Sequence, residues 1–274
     1  MSNLQWRSMQ LTLESRYKFT ETDECDRCLR IRILILDLFS MKTMNNVMLC
    51  LVLLFTGMLC ADEPSTVLNY DFTAAVIRQG GRYEQPLLSP ELRIAAPEQA
   101  LILTGERSQQ ELLVPESAGF SIEEGCTFYA LVKFEQDGTK ASQNDAHDMI
   151  LFKNKDFLFG RFCDKLYFNA GEKWTWSVMA PGIPVKRWTA LAASIRKTSP
   201  ENYTVQLFID GSKVAEKSFR GKIAKPNSNP VSIGKGWGGP WFFYGLLGKV
   251  LVFEQALDEK MILELARKEP YLKK

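Results

Sequence analysis

From about residue 66 onward, apolar and polar positions alternate in short runs, the spacing of strands with one buried face. Val67 to Phe72 sets Leu68, Tyr70 and Phe72 on one side. Ala100–Leu103 and Glu111–Val114 are short apolar runs bounded by Gly105 and Pro115. Cys126 to Phe134 groups Cys126, Phe128, Ala130, Val132 and Phe134, and stops at the turn pair Asp137-Gly138. Met149–Phe152, Phe157–Phe162 and Lys165–Phe168 read as further strands with polar tips, and Trp188 to Ile195 aligns Leu191, Ala193 and Ile195. Tyr203–Ile209 runs into Asp210-Gly211, and Lys213–Phe219 returns. This predicts a hairpin, because a tight turn needs positive φ at its centre. Only the end of the chain reads as a helix. Asp258 is placed to cap it, Leu257 to staple onto Ile262, and Met261, Ile262, Leu265 and Ala266 give an apolar stripe. Many short strands without intervening helices predict an all-β sandwich or jelly roll of antiparallel sheets, followed by one short C-terminal helix.

The first sixty residues follow a different pattern. Residues 41–61 open at Met41 with a short basic start at Lys42, continue through an apolar run from Val47 to Phe55 and end near the small residue Ala61, the layout of a secretory signal peptide. The apolar run falls short of the ~20 residues a spanning helix needs, which favours cleavage over permanent anchorage. Cys60 offers a lipid-attachment alternative, although Gly57-Met58-Leu59 fits that pattern poorly. Signal peptides start a chain, so residues 1–40 are expected to be an over-extended or disordered N-terminus, with translation beginning at Met41 or Met44. Cys25 and Cys28 lie there, without a second pair at metal-binding spacing. The expected organisation is therefore 1–40, a signal or membrane-anchoring segment at 41–61, and one domain over 62–274. Its location would be secreted, periplasmic or at the cell surface, with membrane contact only through an uncleaved or lipidated N-terminus. Within that domain Cys126 and Cys163 are the remaining cysteines, either a disulfide or two buried thiols.

Composition narrows function mainly by exclusion. The 274-residue chain is 46% hydrophobic with a formal charge of +2, so no strong field points to nucleic acid. A single histidine, His147, argues against a multi-histidine metal site and most nucleophile–histidine relays. The chain carries no Gly-x-Ser-x-Gly elbow, P-loop or His-Glu-x-x-His. Gly234 to Gly239 is glycine-rich but leads from a strand into aromatics rather than opening a helix. Asn202-Tyr203-Thr204 fits a glycosylation acceptor, to which little weight attaches.

The order Trp188–Arg196, Thr204–Gly211, Asn229–Gly234, Phe243–Phe253 and Gln255–Ile262 resembles laminin G-like domains of the concanavalin A-like lectin/glucanase superfamily. Cys126–Lys133 sits where the family often has a Phe-Thr-x-x-Ala-Trp-Val-Lys strand, with Leu131 in place of the tryptophan. The resemblance covers nearly all of 66–268 and implies a jelly-roll sandwich of two antiparallel sheets. Fold alone does not fix function. Glycosidases of this superfamily need two carboxyls about 5–5.5 Å or 6.5–9.5 Å apart. The Glu-x-Asp-x-x-Glu strand of the laminarinase-like branch is absent, and the adjacent Glu123 and Glu124 point oppositely if extended. The expectation is a lectin-like binding module without catalysis, with a protein–protein adhesion or structural module as the alternative and a glycoside hydrolase of the same fold as the less favoured one.

Calcium is the ligand the resemblance implies most directly. The best oxygen cluster for it is Asn144, Asp145 and Asp148, although a solvated polar loop is the favoured reading because hard cations usually want more ligands. The tryptophans suggest more. Trp174 and Trp176 alternate as on a strand, and Trp237 and Trp241 flank glycines beside Phe242, Phe243 and Tyr244. Indoles stack on sugar rings with little entropic loss. The expected ligand-binding set is Trp174, Trp176, Trp237 and Trp241, with Lys235 and Arg161 adding hydrogen bonds. Core filling by one tryptophan of each pair competes with that reading. The partner expected is a glycan, or alternatively a cell-surface or extracellular protein.

Overall fold

The computed structural model describes residues within 64–273. Residues 1–63, 73–77, 81–86, 89–92, 96–99, 105–111, 115–119, 136–146, 171–174, 224–226, 237–240 and 274 lie outside the described residues. Pro64–Lys274 forms one compact unit. The expectations for 1–40 and 41–61, including Cys25, Cys28 and Cys60, fall outside it. No described helix is long and apolar enough to cross a membrane.

The strands in chain order are β1 (Thr66–Asp71), β2 (Arg78–Gly80), β3 (Leu87–Leu88), β4 (Arg93–Ala95), β5 (Ala100–Thr104), β6 (Leu112–Val114), β7 (Cys126–Phe134) and β8 (His147–Lys153). They continue with β9 (Phe157–Phe162), β10 (Lys165–Ala170), β11 (Trp176–Ala180), β12 (Trp188–Ser199), β13 (Asn202–Ile209), β14 (Ser212–Arg220), β15 (Val231–Ile233) and β16 (Tyr244–Phe253). Helix α1 (Glu259–Lys268) and a 3₁₀ turn at Pro270–Lys273 close the chain. A nine-stranded sheet runs β14-β13-β12-β7-β16-β1-β2, with β5 also pairing β16 and β4 pairing β5. A seven-stranded sheet runs β11-β10-β9-β8-β15-β6-β3. Every pairing is antiparallel. The described residues thus form the expected two-sheet sandwich with a short C-terminal helix.

Burial of one face per strand holds the sheets together. Cys126, Phe128, Ala130, Val132 and Phe134 of β7 all enter the central core, as their alternation predicts. Phe128 meets Phe157, Phe159 and Phe168 of the facing sheet at centroid separations of 4.6, 5.9 and 6.1 Å. The sandwich is closed along one side where β11 approaches β14. There Trp176 stacks on Phe219 at 5.2 Å, and Lys217 Nζ donates to the Ser177 carbonyl at 3.3 Å. That bond occupies an edge-strand acceptor with a charged side chain, a known guard against strand addition.

The outer face of the nine-stranded sheet is covered by α1 and the 3₁₀ turn. Asp258 caps the helix by accepting from the Met261 N–H at 2.8 Å, and Ile262 and Ala266 are buried beneath it. They pack against Tyr129, Ala192, Phe208 and Leu251, while Trp188 stacks on Tyr271. Beneath the helix, Gly211 at φ +82° makes the β13–β14 turn; a Cβ there would lie 2.9 Å from Leu263 Cα. Both the turn and the close packing require that glycine.

Candidate functional site

The outer face of the seven-stranded sheet carries the main concentration of side chains that are neither core nor plain surface. In β8, β9 and β10 the residues that alternate away from the core are His147 and Met149, then Leu158, Gly160 and Phe162, then Tyr167 and Asn169. Cross-strand register sets them side by side, with His147 opposite Phe162, Met149 and Tyr167 both opposite Gly160, and Asn169 opposite Leu158. Gly160 leaves the middle of this face without a side chain; a Cβ there would lie 2.2 Å from the Asp148 carbonyl. Trp241 reaches the same face from the segment before β16. Its carbonyl accepts from the Gly236 N–H at 2.8 Å, and the Lys235–Phe242 bridge holds the two arms together.

The result is an aromatic patch. Trp241 stacks on His147 at 4.2 Å with 22° between the rings, and His147 meets Phe162 at 4.5 Å. Tyr167 lies 6.0 Å from His147 and 5.8 Å from Phe162. Trp241 remains partly exposed at the rim, while Met149, Phe152, Leu158 and Tyr167 are buried around it. Burial lowers the pKa of His147 to about 4, so the imidazole is neutral near pH 7. Two polar atoms here have no hydrogen-bond partner, His147 Nδ1 and Asn169 Oδ1. Asn169 is 6% exposed, and its Nδ2 donates to the Tyr167 hydroxyl at 2.7 Å. Both atoms are covered from solvent, and buried groups of this kind are normally satisfied.

Directly behind the patch, Asp148 and Arg161 face each other in register and point inward. Arg161 Nε and Nη2 donate to Asp148 Oδ2 at 2.8 and 2.6 Å, and the Tyr244 N–H donates to Oδ1 at 3.1 Å. The guanidinium also lies 4.1 Å above the Phe134 ring. Burial raises the Asp148 pKa, with Arg161 and the Tyr244 N–H opposing it.

These positions revise several sequence expectations. Arg161, expected to reach a ligand, is 1% exposed and bound to Asp148, because the strand's alternation turns it inward. Asp148, expected as a calcium ligand, already accepts three hydrogen bonds and faces an arginine, a poor donor set for a hard cation. Asn144 and Asp145 lie outside the described residues. Among the described residues no group of three or more His, Cys, Asp or Glu side chains could hold a metal. Trp176, 4% exposed, is a core residue packed against Tyr203 at 5.0 Å and Phe219, the competing reading for one member of its pair. Trp174 and Trp237 lie outside the described residues. Lys235 is half-buried, with Nζ 6.0 Å from the Phe242 ring. Cys126 and Cys163 are both free thiols; burial holds the Cys126 pKa well above its ordinary value.

Sequence reasoning named Trp241 but missed its companions His147, Phe162, Tyr167 and Asn169. Their signal was weak because β8, β9 and β10 carry apolar residues on both faces, which hides the outward set. Among the described residues no carboxylate occupies an outward strand position of β8, β9 or β10.

No curated protein sequence matches the chain. Among solved structures, the binding domain of Paraclostridial Mosquitocidal Protein 1 aligns at TM-score 0.56 and 12% identity, over 74% of this chain and 52% of that one. The receptor binding domain of botulinum neurotoxin C/D mosaic serotype aligns at TM-score 0.56 and 11% identity, over 75% and 51%. The chain thus spans about half the length of these toxin chains. Domain 4 of AbnA, a GH43 extracellular arabinanase from Geobacillus stearothermophilus, solved with arabinotriose, aligns at TM-score 0.54 and 17% identity, over 75% of this chain and all of that domain. At such identities the likeness concerns the fold. The sequence model of the Laminin G 3 family, described as the concanavalin A-like lectin/glucanases superfamily, matches residues 106–263, more than half of the chain. The chain therefore belongs to the concanavalin A-like lectin/glucanase superfamily, in its laminin G family.

Proposed function

We propose that the chain is an exported, non-catalytic carbohydrate-binding module that takes a saccharide against the outer face of the seven-stranded sheet. The observation that carries this reading is the partly exposed Trp241 stacked on His147 in a patch with Phe162 and Tyr167 on the outer sheet face. A pyranose or furanose ring offers an apolar C–H face to the accessible part of the Trp241 ring, and indoles stack on such faces with little entropic loss. The arabinanase domain solved with arabinotriose shares the fold and supports a sugar as ligand. Export rests on the signal-like layout of residues 41–61.

A protein ligand is the second reading, favoured by a structural neighbour, the binding domain of botulinum neurotoxin DC, solved in complex with rat synaptotagmin II. The deciding experiment is a glycan-array screen of the full chain beside Trp241→Ala, each with calcium and with chelator. Saccharide binding that the variant loses supports the lectin-like role. A blank array, with wild type and variant alike, overturns it and leaves the protein-binding reading.

A further inference from the structure

On the other side of the sandwich a cleft of about 480 Å³ opens between the end of α1 and the turn that joins β13 to β14, lined by Arg187, Asp210, Ala266, Arg267 and Leu272. Its size falls within the range of small-ligand sites. Asp210 is fixed from several directions. Its N–H donates to the Ala190 carbonyl at 2.8 Å, and its Oδ1 accepts from the Ala190 N–H at 2.9 Å. Its Oδ2 accepts from Arg187 Nη2 at 2.5 Å. The carboxylate is therefore spent on backbone and Arg187, and acts to orient that guanidinium rather than to face a ligand. Arg187 uses one donor in this contact, and its side chain is 58% exposed. Arg267, in the last turn of α1, has no hydrogen-bond or ion-pair partner among the described residues. Among the described lining residues two guanidiniums face one carboxylate. Ala266 and Leu272 supply its apolar lining.

We propose that this cleft is a second ligand site, which holds a monoanionic group, a carboxylate or a sulfate ester, carried on a small body with apolar C–H surface. The chemistry follows from the lining. A guanidinium pre-oriented by a carboxylate presents its remaining N–H groups as a planar fork, which suits a planar or tetrahedral oxyanion better than a hydroxyl. The excess of guanidinium over carboxylate in the described lining favours an anionic group over a neutral one. The unpartnered Arg267 gives the second contact, and the half-buried side chain of Leu272 accepts the C–H face. This site is independent of the aromatic patch and stands whether or not the patch binds sugar.

The test is calorimetric titration of the full chain with glucuronate, glucose 6-sulfate and glucose at low ionic strength. The two anions separate carboxylate from sulfate ester, and glucose reads the uncharged body alone. At least one anion is expected to bind ten-fold or more tightly than glucose, with affinity falling as salt rises. Arg267→Gln, which leaves the Arg187–Asp210 contact untouched, is expected to weaken that binding about ten-fold, and Arg187→Gln/Arg267→Gln to abolish it. Arg220→Gln removes an equally basic side chain that is 83% exposed on β14, and is expected to change nothing. The proposal is overturned if neither anion binds better than glucose, or if the double variant binds as the wild type does.

Discussion

Replacing Asp148 by Ala removes one half of a buried ion pair while leaving the other in place. Asp148 is 8% exposed and Arg161 1% exposed, so the guanidinium would stay inside the sandwich without its carboxylate. Two charge-assisted bonds from Arg161 and one from the Tyr244 N–H disappear together. Breaking a buried pair by deleting one partner typically costs about 3–5 kcal/mol, most of it the penalty on the charge left behind. Phe134 offers the stranded guanidinium its ring face at 4.1 Å, which places the expectation at the lower end, roughly 3 kcal/mol. For a domain of this size that corresponds to a fall in Tm of roughly 6–12 °C. Urea unfolding followed by tryptophan fluorescence measures the loss. The paired replacement Asp148→Leu/Arg161→Met removes both charges and is expected to recover most of it, because an apolar pair of similar volume is often neutral or better. Calcium is expected to shift the wild-type midpoint no more than that of Asp148→Ala. A loss below 1 kcal/mol for the single variant, or a calcium-dependent stabilisation that Asp148→Ala abolishes, would refute the structural role assigned to this pair.

Three further outcomes follow from particular contacts. Gly211→Ala is expected to destabilise by several kcal/mol, since the new Cβ meets Leu263 Cα at 2.9 Å at a φ of +82°; thermal melting reads it, and an unchanged Tm would contradict the packing of the turn beneath α1. Thiol labelling of the native protein is expected to modify the half-buried Cys163 while Cys126 reacts only on unfolding, and simultaneous reaction would contradict the burial of Cys126. Stability against pH carries opposed contributions, in which the raised Asp148 pKa acts in the same direction as that of Asp156. The His147 pKa falls from 6.5 to about 4 on folding, so between these values the unfolded chain binds the extra proton and stability rises with pH. The Asp156 pKa rises from 3.8 to about 7, chiefly through burial, so over that window the native state holds the extra proton and stability falls as pH rises. Asp156→Asn is expected to give a steeper gain in stability from pH 4 to 6.5, and His147→Gln a net decline, by urea unfolding across that range; identical slopes in both variants would contradict these assignments.

The sequence was informative wherever one face of an element is wet. The stripe on α1 and its Asp258 cap were readable, and so was β13, whose buried positions Tyr203, Val205 and Leu207 alternate with polar ones. Legibility failed where both faces are covered. In β9 Phe157, Leu158 and Phe159 are all buried, so alternation could not say that Phe162 points out and Arg161 in. The register shift between Met149 and Leu151 changes the phase of β8, and with it the direction of Asp148 relative to the strand's apolar run. The pairing of Asp148 with Arg161, thirteen residues apart, is a property of hairpin register, and no local pattern announces it. His147 was visible only as a lone histidine that argued against metal chemistry. Its place beneath Trp241 depends on a segment almost a hundred residues later in the chain folding back over β8.

That lone histidine also gives the most direct test of the central claim. Because the chain holds one histidine, its imidazole signals in a proton–nitrogen or proton–carbon NMR spectrum need no sorting among others. The imidazole lies 4.2 Å from the Trp241 ring, in the middle of the proposed sugar platform. Titrating the full chain with a saccharide that it binds on the array is expected to move the His147 ring signals saturably, with the same dissociation constant as the bulk binding, and Trp241→Ala is expected to weaken both about ten-fold. Saccharide binding that leaves the imidazole signals unmoved would place the ligand elsewhere and contradict the account.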